Sequence, residues 1–177
     1  MFGIKKRIRR LLRWIDNYLS QDAPNLLVLR TGSVQVTLDT GSTIAKNFFF
    51  PRYADGTPHE APAVALMEKR CTPETCFLDI GAFFGTYALI AAKHCTNGSV
   101  HAFEVNPLLV REIEKNIALN RFANLRLICA AVWETDGKLI AIDSNYAGET
   151  ASSLSIRQAR LNIGTQLLRI PSLTIDN

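Results

Sequence analysis

Residues 77–94, FLDIGAFFGTYALIAAKH, followed by residues 100–105, VHAFEV, decide how this chain is read. An apolar run ends in Asp79, a turn holding Gly81 and Gly85 opens a helical stretch, and a second apolar run ends in Glu104, 23 residues after Gly81. Residues 76–80 have the length and composition of a buried parallel strand and residues 86–94 those of a helix, so residues 81–85 form the crossing between them. Glycine there permits a sharp turn and close approach of a ligand to the main chain. The amides that open the following helix favour a carboxylate or phosphate. The second strand, residues 100–103, is expected beside the first. It presents Glu104 at its carboxyl end, where ligands bind in open α/β sheets.

A carboxylate at that place can accept both hydroxyl hydrogens of a ribose, which NAD enzymes and S-adenosylmethionine enzymes both exploit. The glycine loop separates the two readings. A dinucleotide fingerprint is G-x-G-x-x-G, so that a pyrophosphate can sit on the helix amides. This loop reads D-I-G-A-F-F-G, with Ala82 in place of the middle glycine. Asp79 just before the turn repels a pyrophosphate and attracts a cationic amino-acid group. A ligand with an ammonium and a sulfonium fits better.

The residues resemble the class I methyltransferases of the FkbM type over roughly Gly32 to the end of the chain. The matching stretches are DIGAFFG at 79–85, FEVNP at 103–107, AAVWETDG at 130–137 and LTIDN at 173–177. The resemblance implies a Rossmann-like doubly wound, mostly parallel sheet, and transfer of a methyl group from S-adenosylmethionine to a hydroxyl of a sugar or other metabolite. It also implies that Asp79, Gly81, Ala82 and Gly85 line the methionine end of the cofactor. Glu104 would hold the ribose, with Asn106 beside it, and Ala130 and Ala131 would lie near the adenine. The chain departs from the family pattern at Phe83, where a small polar residue is usual, and at Val105, where a proline is usual. In the family LTID leads into a further strand and the other half of the sheet, so the expectation is a fragment or a truncated relative.

Composition fits one globular domain: 177 residues with 47% apolar content can bury a sizeable core. No run of about 18 apolar residues offers an ordinary membrane span. Arg13 interrupts LLRWI, so residues 1–21 lack the apolar stretch of a signal peptide, and a cytoplasmic protein is expected. Residues 1–21 hold six Lys and Arg against Asp16, more than the chain's whole net charge of +4. The body is therefore slightly acidic, and nucleic acid is not an expected partner. Within those residues Ile4, Ile8, Leu11, Ile15 and Leu19 form one helical stripe. Such a basic amphipathic helix either lies on an anionic membrane surface, with Trp14 at headgroup level, or packs on protein. Cys71, Cys76, Cys95 and Cys129 are irregularly spaced and are expected to be reduced and packed as small hydrophobes. With His59, His94 and His101 they form no metal-ligand pattern.

The chain divides into the basic helix at 1–21, a hairpin-and-helix region at 22–75 and a partial methyltransferase domain at 76–177. In the middle region LLVLRTGSVQVTLD and TIAKNFFF read as β-hairpin strands, with turns at residues 31–33 and 40–42. A helix is expected over residues 63–70. Glu60 before it is either an acid near the cofactor's amino-acid end, as the resemblance implies, or a residue favoured by the helix dipole. Asn106 and Pro107 read as cap and first residue of a helix ending at Asn120. A third strand is expected over residues 125–129, and an antiparallel one over 138–142. The polar segment 143–160 corresponds by resemblance to the acceptor side, making Glu149, Ser152 and Ser153 substrate candidates. Asp176 and Glu60 are the candidates for a base that removes the acceptor's proton. Two readings from other classes stay open: a non-catalytic interaction module and a nicotinamide oxidoreductase.

Overall fold

The computed structural model describes residues 25–32, 34–53, 55–143 and 167–175. In chain order they form β1 (Leu26–Thr31), β2 (Val34–Asp39), α1 (Thr43–Tyr53), α2 (Ala61–Arg70), β3 (Cys76–Ile80), α3 (Thr86–His94), β4 (Ser99–Phe103), α4 (Pro107–Asn120), β5 (Leu125–Ile128), β6 (Ala131–Val132), β7 (Leu139–Asp143) and β8 (Leu167–Leu173). The basic helix expected at residues 1–21 lies outside the described residues, as do Glu149, Ser152, Ser153 and Asp176.

The motif folds as its spacing predicts. β3, β4 and β5 make a parallel sheet in that order, with Asp79 level with Ala102 and Ala102 level with Leu127. Side chains alternate across it. Val100, Ala102 and Leu125, with Phe77 and Leu127 at their margin, join the core, where α3 contributes an almost wholly buried run from Ala88 to Ala92. β3 was expected to be buried on both faces, and it is not: Cys76, Leu78 and Ile80 are exposed, Ile80 by 54%. A parallel strand is buried twice over only when helices cover both faces. Among the described residues α3 and α4 pack on one.

α4 begins as its sequence dictates. Pro107 at the first position has no amide to waste, and the Asn106 side chain accepts the Leu108 amide at 3.0 Å. The β1–β2 hairpin, paired from Leu26–Asp39 to Thr31–Val34, packs over α3 and α4. Two asparagines one helical turn apart stitch it down. Asn120 donates to the Thr37 carbonyl and accepts the Thr37 amide at 2.9 Å, so the helix pairs with the strand as a neighbouring strand would. Asn116, fully buried, accepts the Asp39 amide at 2.6 Å and donates to the Phe84 carbonyl at 3.0 Å.

The expected strand over residues 43–50 is instead α1. The Ser42 hydroxyl accepts the Ala45 amide at 3.2 Å, so the residues read as a turn between strands are a helix cap. Phe48, Phe49 and Phe50 carry high strand propensity, but Ala45, Phe49 and Tyr53 recur every fourth position and bury one helical face. Tertiary packing overrides propensity here. Helix α2 starts two residues earlier than expected, with Pro62 in its first turn.

Beyond β5 the chain builds a second sheet in the order β6-β8-β7. The antiparallel strand foreseen over 138–142 exists as β7, and its partner is β8, from Leu139–Pro171 to Asp143–Leu167. Sequence reading did not foresee β8 as a strand, since Pro171 interrupts its donors. Of the cysteines, all free, Cys95 is buried and Cys71 half-buried, while Cys76 and Cys129 are exposed. The expectation of packed thiols therefore fails for those two: Cys76 lies on the uncovered face of β3, and Cys129 just past the end of β5.

Candidate functional site

The crossing loop is held by conformation more than by space. Gly81 and Gly85 have φ of 77° and 75°, a region that side chains rarely adopt. A Cβ on Gly81 would meet nothing within 4 Å, whereas one on Gly85 would press on Ile113 at 3.0 Å. Between them Phe83 also sits at φ 57°. That conformation costs a non-glycine residue roughly 1–2 kcal/mol. Packing holds Phe83 there, with Phe48 of α1 and Phe84 each 4.6 Å from it between ring centroids. The loop's first amides do not wait for a ligand, because Gly81 and Ala82 both donate to the Phe103 carbonyl at 2.9 Å.

Glu104 ends β4 at 4% exposure and closes the same loop. One carboxylate oxygen accepts the Phe83 amide at 2.8 Å, and the other accepts the amides of Val105 and Asn106 at 2.8 and 2.9 Å. Burial raises its pKa, and the three amides hold it down against that. A carboxylate offers about four acceptor positions, so roughly one remains for a ligand hydroxyl until an amide is displaced.

Asp79 has a local structural task. Its Oδ2 accepts the Ala88 amide at 3.0 Å, so it satisfies the first turn of α3 from outside the helix. Burial pushes its pKa up to about 6; the Ala88 amide opposes this and the Glu104 charge adds to it. For an acid, a folded pKa above the unfolded value means that the folded state binds the proton more tightly. Stability is then highest below the unfolded pKa and falls as pH rises from about 4 to 6. At 1.36 kcal/mol per unit the charged form costs about 2–3 kcal/mol above pH 6. Asp79→Asn keeps an oxygen for Ala88 and removes that cost. Urea melts should show the variant about 1–3 kcal/mol more stable than the parent at pH 8, with no advantage below pH 4. Equal curves at pH 8 would mean that Asp79 is not strained.

These elements enclose a cavity of about 450 Å³ at the carboxyl ends of β3 and β4. That volume is within the usual range for small-molecule sites. Of the residues expected to hold a cofactor, Gly81, Ala82, Glu104, Ala130 and Ala131 line it, while Asp79, Gly85 and Asn106 do not. Asp79 and Asn106 are engaged as helix-end acceptors, and Gly85 packs against Ile113. Glu60 lines the cavity too. It sits at the N-cap position of α2 but makes no side-chain cap hydrogen bond; the Tyr87 hydroxyl donates to it instead. The pKa of Tyr87 is raised by burial and by this contact, and that of Tyr53 by burial and the nearby Glu60 charge.

The remaining wall is aromatic and escaped the sequence reading. Phe48, Tyr53, Phe83, Phe84 and Tyr87 all line the cavity. Tyr87 could have been found two positions after Gly85, in the first turn of a helix that opens on a site. Phe48 and Tyr53 carried no such signal, because the helix that holds them was read as a strand over residues 43–50 and as a loop from 51 on. Among the described residues no cluster of His, Cys, Asp and Glu is arranged to hold a metal ion, and no helix is long and apolar enough to cross a membrane.

Fold and site together define an α/β domain with a ligand-sized cavity where its parallel strands end. No family model matches the chain, and no curated protein sequence matches it. Solved structures similar to part of it include precorrin-6y C5,15-methyltransferase from Geobacter metallireducens GS-15, 29% identical over 41% of this chain and 39% of that one, with a TM-score of 0.38. M. jannaschii TYW2 in complex with AdoMet is 20% identical over 65% of this chain and 48% of its own, with a TM-score of 0.45. The complex of aTrm5 and tRNALeu is 24% identical over 66% and 31%, with a TM-score of 0.44. The chain spans less than half the length of each of these three.

Proposed function

We propose that this chain is the cofactor-binding part of an S-adenosylmethionine-dependent methyltransferase of the FkbM type, acting on a hydroxyl of a sugar or other small metabolite. The observation that carries this reading is the charge of the cavity wall. Two carboxylates, Glu60 and Glu104, line it, and no Lys, Arg or His is among the described lining residues. A pyrophosphate placed there would meet the like charge of both carboxylates, whereas a nucleoside with a positive centre would meet attraction. This disfavours a nicotinamide dinucleotide, as the missing middle glycine does.

In this reading Glu104 accepts hydrogens from the ribose hydroxyls. The loop from Gly81 to Phe83 forms the floor on which the nucleoside lies, and Ala130 and Ala131 leave room for its base. The cofactor supplies a methyl group already activated on a positive sulfur, so the chain's task is largely alignment. Glu60 stands at the exposed rim, able to take the proton of an acceptor hydroxyl while Tyr87 supports its charge. The partner is a small molecule or glycan rather than nucleic acid, because the net positive charge lies in residues 1–21 and the rest of the chain is slightly acidic. Those residues are the part suited to contact with an anionic membrane at the cytoplasmic face.

Calorimetric titration with S-adenosylhomocysteine tests the reading without knowledge of the acceptor. Binding in the micromolar range with NAD silent is the expected result. Heat from NAD alone would replace it with the oxidoreductase reading, and silence from both would leave a non-catalytic module.

A further inference from the structure

We propose that Tyr53, Phe83 and Tyr87, backed by the Glu60 carboxylate, form a cation-selecting wall that distinguishes the positively charged sulfur of S-adenosylmethionine from the neutral thioether left after methyl transfer. The inference rests on the cofactor reading above and goes beyond it, since it concerns which state of the cofactor the cavity holds. All four residues line the cavity together with Gly81 and Ala82. Aromatic faces attract a cation through their quadrupole, most strongly where water is displaced. Two features strengthen that attraction here, and one limits it.

The first is the hydrogen bond from the Tyr87 hydroxyl to Glu60. A phenol that donates to a carboxylate gains electron density on its ring, which deepens the negative potential of its face. The second is the composition of the wall. Among the described lining residues none is basic, so no lining side chain competes with the ligand for the faces of Tyr53, Phe83 and Tyr87. The limit is that Phe48, in the same aromatic cluster, already holds a cation. The Arg52 guanidinium lies 4.6 Å from the Phe48 ring centroid, and Phe48 stacks on Phe84 at 5.2 Å and meets Phe83 edge-on. The ammonium and carboxylate of the methionine part are common to both forms of the cofactor. The sulfur charge is what differs, so any preference between the two reports on this wall. The consequence is release of the spent cofactor in favour of the fresh one.

The test is the ratio of two dissociation constants measured by calorimetry on the same chain. S-adenosylmethionine should bind about 3- to 30-fold more tightly than S-adenosylhomocysteine, the range expected of a desolvated cation–aromatic contact. In Tyr87→Leu the ratio should fall to within about twofold of unity while the S-adenosylhomocysteine affinity changes little. Tyr87→Phe, which keeps the ring, should retain most of the preference, and Glu60→Gln should reduce it. The unchanged S-adenosylhomocysteine affinity also shows that each variant is folded. Equal affinities for the two ligands in the parent chain, or a preference that survives Tyr87→Leu, would overturn the inference and leave the cofactor reading standing. Failure of both ligands to bind the parent chain would instead remove the cofactor reading beneath it.

Discussion

Glu104→Ala is expected to lower the stability of the ligand-free chain by about 2–4 kcal/mol and to weaken S-adenosylhomocysteine binding by more than about 100-fold. The first effect comes from three amides. Phe83, Val105 and Asn106 all donate to this one carboxylate, which is 4% exposed. Truncation leaves them without an acceptor, at about 1–3 kcal/mol for each that water cannot reach. Relief of the buried charge offsets part of that sum. For a chain of this length the loss corresponds to a melting temperature lower by about 5–15 °C. The second effect follows from the proposed reading, in which ribose hydroxyls donate to Glu104 and each such hydrogen bond to a charged acceptor contributes about 1.5–3 kcal/mol. Glu104→Gln should lie between the two chains in stability, because its amide nitrogen would face a donor where the parent has an acceptor. A variant that melts like the parent would disprove the amide contacts. One that melts lower yet binds the ligand equally well would assign Glu104 to loop closure alone.

Among the described glycines, Gly98→Ala should be the most disruptive change to alanine, costing at least about 3 kcal/mol or preventing soluble expression. A Cβ at this position would stand 2.0 Å from the Thr75 carbonyl oxygen and 2.8 Å from its carbon. Neither atom can yield, because the segment before β3 and the start of β4 are laced together there. Ser99 donates to Thr75 at 3.2 Å and Asn97 to Pro73 at 2.9 Å. Gly137→Ala is the control. Its φ of 71° makes alanine strained, but open space surrounds it, so a loss of about 1 kcal/mol is expected. Equal losses in the two variants would show that the two segments at Gly98 move apart to admit the methyl group.

The parts of the fold that were legible in the sequence are those in which neighbouring residues carry the instruction. Asp79, the two glycines and Glu104 mark strand, crossing and second strand because a βαβ unit repeats its apolar runs at a characteristic interval. Asn106 and Pro107 announce α4 through local capping chemistry. The Leu26–Asp39 hairpin shows in its alternation about Gly32. α1 was misread because its three consecutive phenylalanines favour a strand locally, while the buried spacing of Ala45, Phe49 and Tyr53 acquires meaning only against a core.

The site divides along the same line. That Glu104 stands at a strand end beside a glycine loop follows from sequence spacing. That Asp79 serves the Ala88 amide and does not line the cavity depends on how α3 settles on β3. The aromatic wall likewise depends on α1 bringing Phe48 and Tyr53 to a loop about thirty residues away, where Phe48 packs on Phe83 at its positive φ. Asn116, in sequence one polar residue within a helix, becomes the link between the hairpin and the crossing loop once α4 lies between them. Backbone periodicity and capping act over a few residues and so are written in the chain itself. Charge burial, aromatic contact and the reach of an amide side chain are properties of groups far apart in sequence, and only the folded packing of the helices on the sheet brings them together.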